Sequence, residues 1–119
     1  MNLDAIRDYC LKKRGKITEE FPFDDETLVF KVHGKMFLIT SVSAHPLSLT
    51  LKCDPELAVD LRERYEAVTP GYHTNKRMWN TVVLDGSVPP QEVWKMIDHS
   101  YTEVVKGLKR TLREKLHND

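Results

Sequence analysis

The chain has 119 residues, of which 40% are hydrophobic and 30% are charged, a composition typical of a globular domain rather than of a disordered or membrane protein. A chain of this length can bury roughly two thirds of its unfolded surface, so we expect a single domain over residues 1–119 without metal or disulfide support. Its 18 basic and 18 acidic residues give a net charge of zero, which excludes the strong overall positive field of a dedicated duplex-binding protein.

Targeting and redox signals are missing from the sequence. The N-terminus has no basic, apolar, small-residue leader, and no run approaches the roughly 18 to 20 apolar residues of a transmembrane helix. We therefore expect a cytoplasmic protein with no membrane partner. Cys10 and Cys53 form neither a CxxC pair nor a metal-ligand spacing, which favours buried thiols over a redox pair.

A helix is predicted at the start of the chain. Asn2 is a suitable N-cap, the helix is expected to run to about Arg14, and Gly15 is a natural stop. Basic residues cluster at 12–16 and again at 106–115. Cations near the C-terminal end of a helix interact favourably with its dipole, and this account of both clusters is favoured over a nucleic-acid footprint.

The next segments have a hydrophobic period of two and predict a sheet. Strands over about 27–32 and 36–40 are joined by a tight hairpin at His33-Gly34, where glycine accepts the left-handed conformation. A third strand at 47–52 alternates leucines with Ser, Thr and Lys. Three antiparallel strands with one apolar face need a covering layer.

Two further helices supply that layer. Asp54-Pro55-Glu56 is a helix start, because Asp accepts from orphan amides, Pro fits the first helical position and Glu favours the positive end of the dipole. A strand from about Met78 to Leu84 follows. Pro89 and Pro90 then open a long helix that is predicted to continue to the end of the chain. Its apolar positions step by three or four: Val93, Ile97, Tyr101, Val104, Leu108, Leu112 and Leu116.

The predicted order of elements is α-β-β-β-α-β-α, with short extra strands left open near 17–20 and 66–69. Hairpin-connected strands separated by single helices indicate the α+β class, as a two-layer sandwich with an antiparallel sheet covered by helices.

The segment from Pro70 to Asn80, PGYHTNKRMWN, gathers more polar chemistry than any other part of the chain. Pro70-Gly71 suits a type II turn, in which glycine supplies the positive φ. We expect the side chains of His73 and Asn75 to hydrogen-bond loop backbone. We expect Trp79 to anchor the following strand in the core.

The same segment carries a family resemblance. Pro-Gly-Tyr-His-x-Asn-Lys-x-x-Trp, followed by Leu84-Asp85-Gly86 and Ser100-Tyr101, resembles the signature of the MmcQ/YjbR-like proteins. Almost the whole chain fits that family's layout, including Pro22-Phe23, Gly34-Lys35 and Leu51-Lys52 running into Asp54-Pro55. The resemblance implies a CyaY-like two-layer α+β fold and DNA binding by a double wing.

The sequence shows no motif for metal or cofactor chemistry. The five histidines form no i,i+4 pair and no HExxH, and there is no Walker loop, GxGxxG or GxSxG. The two-layer fold is reminiscent of frataxin-like proteins, whose acidic face is linked to iron. The first helix here has no such acidic face, because its acidic residues are matched by basic ones. His73 is a candidate general acid or base but has no carboxylate partner nearby. We therefore predict no metal, no cofactor and no enzymatic activity.

The DNA-binding prediction joins two exposed elements. The hairpin tip would be one wing and the loop after Pro70 would lie beside a second, with Lys and Arg contacting phosphates and Asn75 reaching a base edge. The predicted contact residues are Lys31, Lys35, Tyr72, His73, Asn75, Lys76 and Arg77.

The alternative is a small module that binds a protein partner or a ligand and resembles secretion-chaperone folds. Exposed apolar residues on the third helix would favour this alternative. In either case we expect a monomer or a weak dimer.

Overall fold

The computed structural model describes residues 1–118 and consists of a six-stranded antiparallel sheet with helices packed on one face. The helices are α1 (Leu3–Leu11), α2 (Pro55–Arg64), α3 (Pro90–Lys106) and α4 (Arg110–Asn118). The strands are β1 (Ile17–Glu20), β2 (Thr27–Val32), β3 (Lys35–Ser41), β4 (Ser48–Lys52), β5 (Val68–Pro70) and β6 (Trp79–Val83). They lie in the order β1-β2-β3-β4-β6-β5.

This architecture confirms the predicted α+β two-layer class and the order of its elements. Both short strands that the sequence left open are present, as β1 and β5 at the two edges of the sheet. The predicted domain ran over 1–119, and Asp119 lies outside the described residues. Over residues 1–118, none of the helices combines the length and the apolar sequence that crossing a bilayer requires.

The predicted N-caps are confirmed. The side chain of Asn2 accepts from the backbone N–H of Ala5 at 2.9 Å. Asp54 accepts from the N–H groups of Glu56 and Leu57, each at 3.1 Å. Each cap satisfies amide hydrogens that the first turn of a helix leaves without a partner.

The core lies between the sheet and the helices. Cross-strand pairing places Leu38 opposite Leu51 and Leu49 opposite Val82, so these side chains share the helix-facing side. Burial is nearly complete there, and Leu38 and Leu49 are 0% exposed. Cys10 and Cys53 are also buried and unpaired, as predicted. Burial raises the pKa of Cys10 to about 12 and that of Cys53 to about 11, which keeps both as neutral thiols.

Helix α3 is pinned to the middle of the sheet by a buried hydroxyl. The Oγ of Ser100 donates to the carbonyl of Phe37 at 2.5 Å and accepts from the N–H of Lys52 at 2.9 Å. The ring of Phe37 packs edge-on against Tyr101, with centroids 5.7 Å apart. These contacts fix α3 across β3 and β4. The other helices add Ile6, Leu61 and Leu116 to the same core cluster, so the described helices all lie on one face of the sheet.

The predicted single C-terminal helix is wrong, because the chain turns at Gly107 and continues as α4. Glycine has the lowest helix propensity after proline. The turn brings Leu116 back to the end of α1, where Leu116 is 6% exposed and its carbonyl accepts from Arg14 Nη1 at 3.0 Å. A continuous helix would carry that leucine away from the core.

Candidate nucleic-acid interface

The hairpin at His33-Gly34 and the segment 71–78, here called loop 71–78, leave the sheet at the same end. Strands β3 and β6 both begin there, since β3 pairs antiparallel with β4 and β4 pairs antiparallel with β6. The hairpin joins the second and third strands of the sheet order, and loop 71–78 joins the fifth and sixth. Three strand spacings therefore separate the two loops, which is about 14 Å.

The hairpin has the geometry that its sequence predicts. His33 and Gly34 have φ values of 46° and 82°, as a type I′ turn requires at both central positions. His33 also ties the tip to the start of β1, because its Nε2 accepts from the N–H of Lys16 at 3.2 Å. Lys35 follows the turn as an exposed first residue of β3.

The predicted type II turn at Pro70-Gly71 is wrong. Pro70 is the last residue of β5, and Gly71 continues the pairing by donating its N–H to the carbonyl of Trp79 at 2.8 Å. Glycine is needed here for space instead of for a positive φ, since a Cβ would lie 2.2 Å from Thr74 Oγ1. The left-handed residue of the loop is His73, with φ of 57°.

Loop 71–78 is held by two of its own polar side chains and by one from α2. The ammonium of Lys76 donates to the carbonyl of Gly71. The Oδ1 of Asn75 accepts from the N–H of Arg77 at 3.0 Å, and Arg62 on α2 donates to the carbonyl of Lys76 at 3.0 Å. The expectation that Asn75 would hydrogen-bond loop backbone is therefore confirmed, and Lys76 shares that structural task.

Trp79 does not lie in the core, so that expectation is wrong. Its strand neighbour Asn80 points toward the helices and donates to the carbonyl of Ala58 at 3.2 Å. Because side chains alternate along a strand, Trp79 faces the other side, here called the open face. The indole is partly buried there and is absent from the residues that form or contact the core cluster.

The open face is a threonine-rich groove between loop 71–78 and the segment 21–26, here called loop 21–26. The groove has a volume of about 620 Å³. Thr50 and Thr81 share a hydrogen bond of 2.9 Å across β4 and β6, and Thr81 also accepts from the N–H of Tyr72 at 3.2 Å. Exposed aromatic side chains stand at both ends, with Phe23 at 66% exposure and Tyr72 at 72%.

Tyr72 and His73 form a small aromatic pair on this groove. Their ring centroids are 3.9 Å apart and both residues are exposed. An exposed pair of rings gives a base a surface on which to stack.

Cations gather at the end of the sheet that carries the hairpin and loop 71–78, here called the loop end, but they are not equally available. Lys31 Nζ lies 2.7 Å from Glu20 Oε2, and the two side chains form an ion pair. Within residues 1–118, Lys35 and Arg77 have no carboxylate within ion-pair distance and both are exposed. These two side chains are therefore the free cations of the two loops.

The sequence also contained a cation that we did not assign to the site. Lys52 follows Leu51 in β4, so its side chain lies on the open face, paired in register with Trp79. The alternation of leucines with Ser, Thr and Lys in that strand was the signal.

The opposite end of the groove is acidic. Asp24 in loop 21–26 accepts from the N–H groups of Glu26 and Thr27 at 2.9 and 2.7 Å and from the hydroxyl of Thr27. These hydrogen bonds, those of the backbone first, hold the pKa of Asp24 below its ordinary value. Asp24 thus remains a carboxylate at neutral pH and makes the end of the groove at loop 21–26 negative.

The predicted site residues are brought to one end of the sheet, with different roles. Lys35, Tyr72, His73 and Arg77 are exposed and free to meet a ligand. The other three make contacts within the protein. Lys31 forms an ion pair with Glu20, and Asn75 and Lys76 hydrogen-bond to the backbone of loop 71–78. Among the side chains of the described residues, no three His, Cys, Asp or Glu converge as metal ligands would.

Exposed apolar residues on the third helix, which would favour a protein-binding module, are not observed. No large hydrophobic side chain of α3 is exposed. The exposed ones lie elsewhere: Met1, Leu11, Phe21, Phe23, Val59, Tyr72 and Met78.

Comparison with known proteins gives a consistent result. A family model described as YjbR matches residues 12–103. The protein described as uncharacterized protein YjbR of Escherichia coli (strain K12) is 32% identical over 117 residues, which cover 98% of each chain. The uncharacterized protein YyaQ of Bacillus subtilis (strain 168) is 40% identical over 53 residues, 44% of each chain.

Solved structures share the fold. The crystal structure of Deinococcus radiodurans protein DR2400, described by the domain DUF419, matches with a TM-score of 0.91 and 40% identity over 98% of this chain and 88% of that one. A Pseudomonas syringae protein matches with a TM-score of 0.74 and 25% identity over 87% of this chain and 99% of that one. The family model spans most of the sequence and the Escherichia coli relative aligns along nearly all of it, so the chain belongs to the YjbR family.

Proposed function

We propose that the protein binds DNA through the loop end of its sheet, without catalysing a reaction on it. The observation that carries the proposal is the placement of two exposed cations that have no ion-pair partner among the described residues. Lys35 lies beside the hairpin and Arg77 lies in loop 71–78, at the same end of the sheet.

The spacing of the two loops suits a nucleic-acid backbone. They are about 14 Å apart by strand spacing, close to the width of about 12 Å of the major groove. A cation on each side can contact phosphates across a groove, which positions the protein without reading the sequence.

The open face adds an aromatic contact. Tyr72 and His73 project their rings beside the groove that starts at this end. Stacking on such rings tolerates any base, and it is available to bases that are unpaired or at a strand end.

The charge distribution restricts the footprint. The carboxylate of Asp24 and the exposed acidic side chains Asp25 and Glu26 lie around the far end of the groove and repel phosphates. The net charge is zero, so we expect modest affinity that falls steeply with salt.

The experiment is a salt titration with fluorescently labelled DNA. Anisotropy is measured with a short duplex and with one of its single strands, from about 50 to 200 mM salt. Lys35→Ala and Arg77→Ala are each expected to weaken binding to every sequence and to reduce the salt slope by about one. Lys12→Ala is the matched control, because Lys12 is an exposed lysine at the C-cap of α1 that pairs with Asp8.

Two results would contradict the proposal. One is the absence of binding by the wild-type protein at the lowest salt. The other is equal weakening by Lys12→Ala, which would show that only total charge matters. A protein-partner module would then be the better hypothesis.

A further inference from the structure

A cavity lies between the helices and the sheet, on the side opposite the open face. Its volume is about 250 Å³, and its lining includes Leu51, Leu57, Leu61, Val82, Met96 and Asn80. An apolar cavity of about 150 Å³ is enough to hold benzene. Space of this size therefore suits a flat molecule of two fused rings.

One polar side chain in this lining lacks a partner. Asn80 is 5% exposed, and its Nδ2 donates to the carbonyl of Ala58 at 3.2 Å. Its Oδ1 is buried and, among residues 1–118, receives no hydrogen bond. Exchanging the two amide atoms would bring oxygen against the carbonyl of Ala58, so the hydrogen bond fixes which atom is left without a donor.

The position of this asparagine is unusual for its strand. Residue 80 shares the helix-facing side of β6 with Val82 and is paired in register with Leu51. A buried carbonyl oxygen without a donor lowers stability, and an apolar side chain would avoid that penalty. The lining also includes polar and charged residues, and none of them donates to this oxygen: Lys52, Arg64, Glu92, Lys95 and His99.

From this cavity and this unsatisfied oxygen, we infer a binding site for a small, flat, apolar molecule that carries one N–H or O–H donor. The donor hydrogen-bonds to Asn80 Oδ1, and the rings fill the space between α2, α3 and the sheet. Met96 lies in the lining and is unbranched, so its side chain can adjust to the shape of the bound molecule. The site is separate from the proposed DNA surface.

Indole and benzofuran make a matched pair of probes. They have nearly the same shape, but indole has an N–H where benzofuran has an oxygen. Titration followed by methyl NMR is expected to shift the signals of Leu51, Val82 and Met96 with indole, and indole should bind about three- to tenfold more tightly than benzofuran. No binding by either probe, or equal binding by both, would overturn the inference.

Two variants test the location. Leu57→Trp should fill the cavity and abolish indole binding while the protein stays folded. Asn80→Leu should remove the preference for indole over benzofuran. If Asn80→Leu does not fold, the comparison in the wild-type protein and the Leu57→Trp variant still decide. Indole binding that survives Leu57→Trp unchanged would show that the probe binds elsewhere.

Discussion

Gly71 and Trp79 approach so closely that a Cβ on the glycine would lie 2.7 Å from Trp79 Cβ. The same added atom would lie 3.1 Å from the carbonyl carbon of Trp79, which is backbone and cannot move aside cheaply. We therefore expect Gly71→Ala to destabilise the domain by about 1 to 3 kcal/mol, as overpacking does. Urea unfolding followed by circular dichroism measures the change.

Gly107→Ala is the control for that substitution. A Cβ at Gly107 meets nothing closer than the carbonyl of Val104 at 3.4 Å, and φ is −86°. An alanine there should be neutral or stabilise by about 0.4 to 1 kcal/mol. If both variants lose the same free energy, the close approach at Gly71 is not the cause.

The location of Trp79 predicts a smaller loss than a core aromatic would give. Trp79→Ala should cost about 1 to 2 kcal/mol, because the indole packs on the open face beside loop 71–78 and remains partly exposed. Phe37→Ala, at a side chain 0% exposed, should cost about 3 to 5 kcal/mol. Equal losses in urea melts would place the tryptophan in the core after all.

Asn75 is expected to act on the loop and not on base choice. Asn75→Ala removes the acceptor for the N–H of Arg77 and should lower stability by about 0.5 to 1.5 kcal/mol. Asn75→Asp keeps an acceptor and should retain most of that stability. A DNA-binding assay over several sequences completes the test, since a change in preference among sequences would show that the amide reads a base.

Local sequence signals predicted the elements of the fold because their physics is local. The caps at Asn2 and Asp54 and the turn at His33-Gly34 depend on a few neighbouring residues, and the structure has all three. The hydrophobic period gave the strands for the same reason.

The errors share a different origin, which is contact between residues far apart in the chain. The role of Gly71 depends on Trp79 across a strand pair, and the break at Gly107 depends on the docking of Leu116 near Arg14. The sequence likewise placed the predicted contact residues at the hairpin and in the loop after Pro70, but whether Lys31 is free is decided by Glu20 on another strand. Such pairings are set by sheet register and helix docking, which single-sequence patterns do not specify.

Acid should weaken the fold through the carboxylate of Asp24. Hydrogen bonds from the backbone of Glu26 and Thr27 lower the pKa of Asp24 in the folded state. The unfolded chain therefore binds more protons, and the stabilisation present above the unfolded pKa of about 3.9 is lost as pH falls through the lower folded pKa. The free energy of unfolding should decrease over this range.

Asp24→Asn tests this assignment, because an amide oxygen can still accept from the backbone but does not titrate there. The variant should show a smaller decrease in the thermal midpoint between neutral pH and about pH 3 than the wild type does. Asp25→Asn, an exposed neighbour, is the control. If both substitutions leave the pH dependence unchanged, other carboxylates control acid unfolding.

The ion pair between Lys31 and Glu20 should restrain DNA binding at the loop end of the sheet. Glu20→Gln releases Lys31 from its partner 2.7 Å away and removes a negative charge from the open face. We expect tighter DNA binding and a salt slope steeper by about one, since one more cation can replace a counterion. Glu63→Gln changes the net charge equally, from an exposed position on α2. Anisotropy titrations should therefore show a large gain for Glu20→Gln and little for Glu63→Gln. Equal gains would attribute the effect to total charge, and a loss with Glu20→Gln would place the DNA away from Lys31.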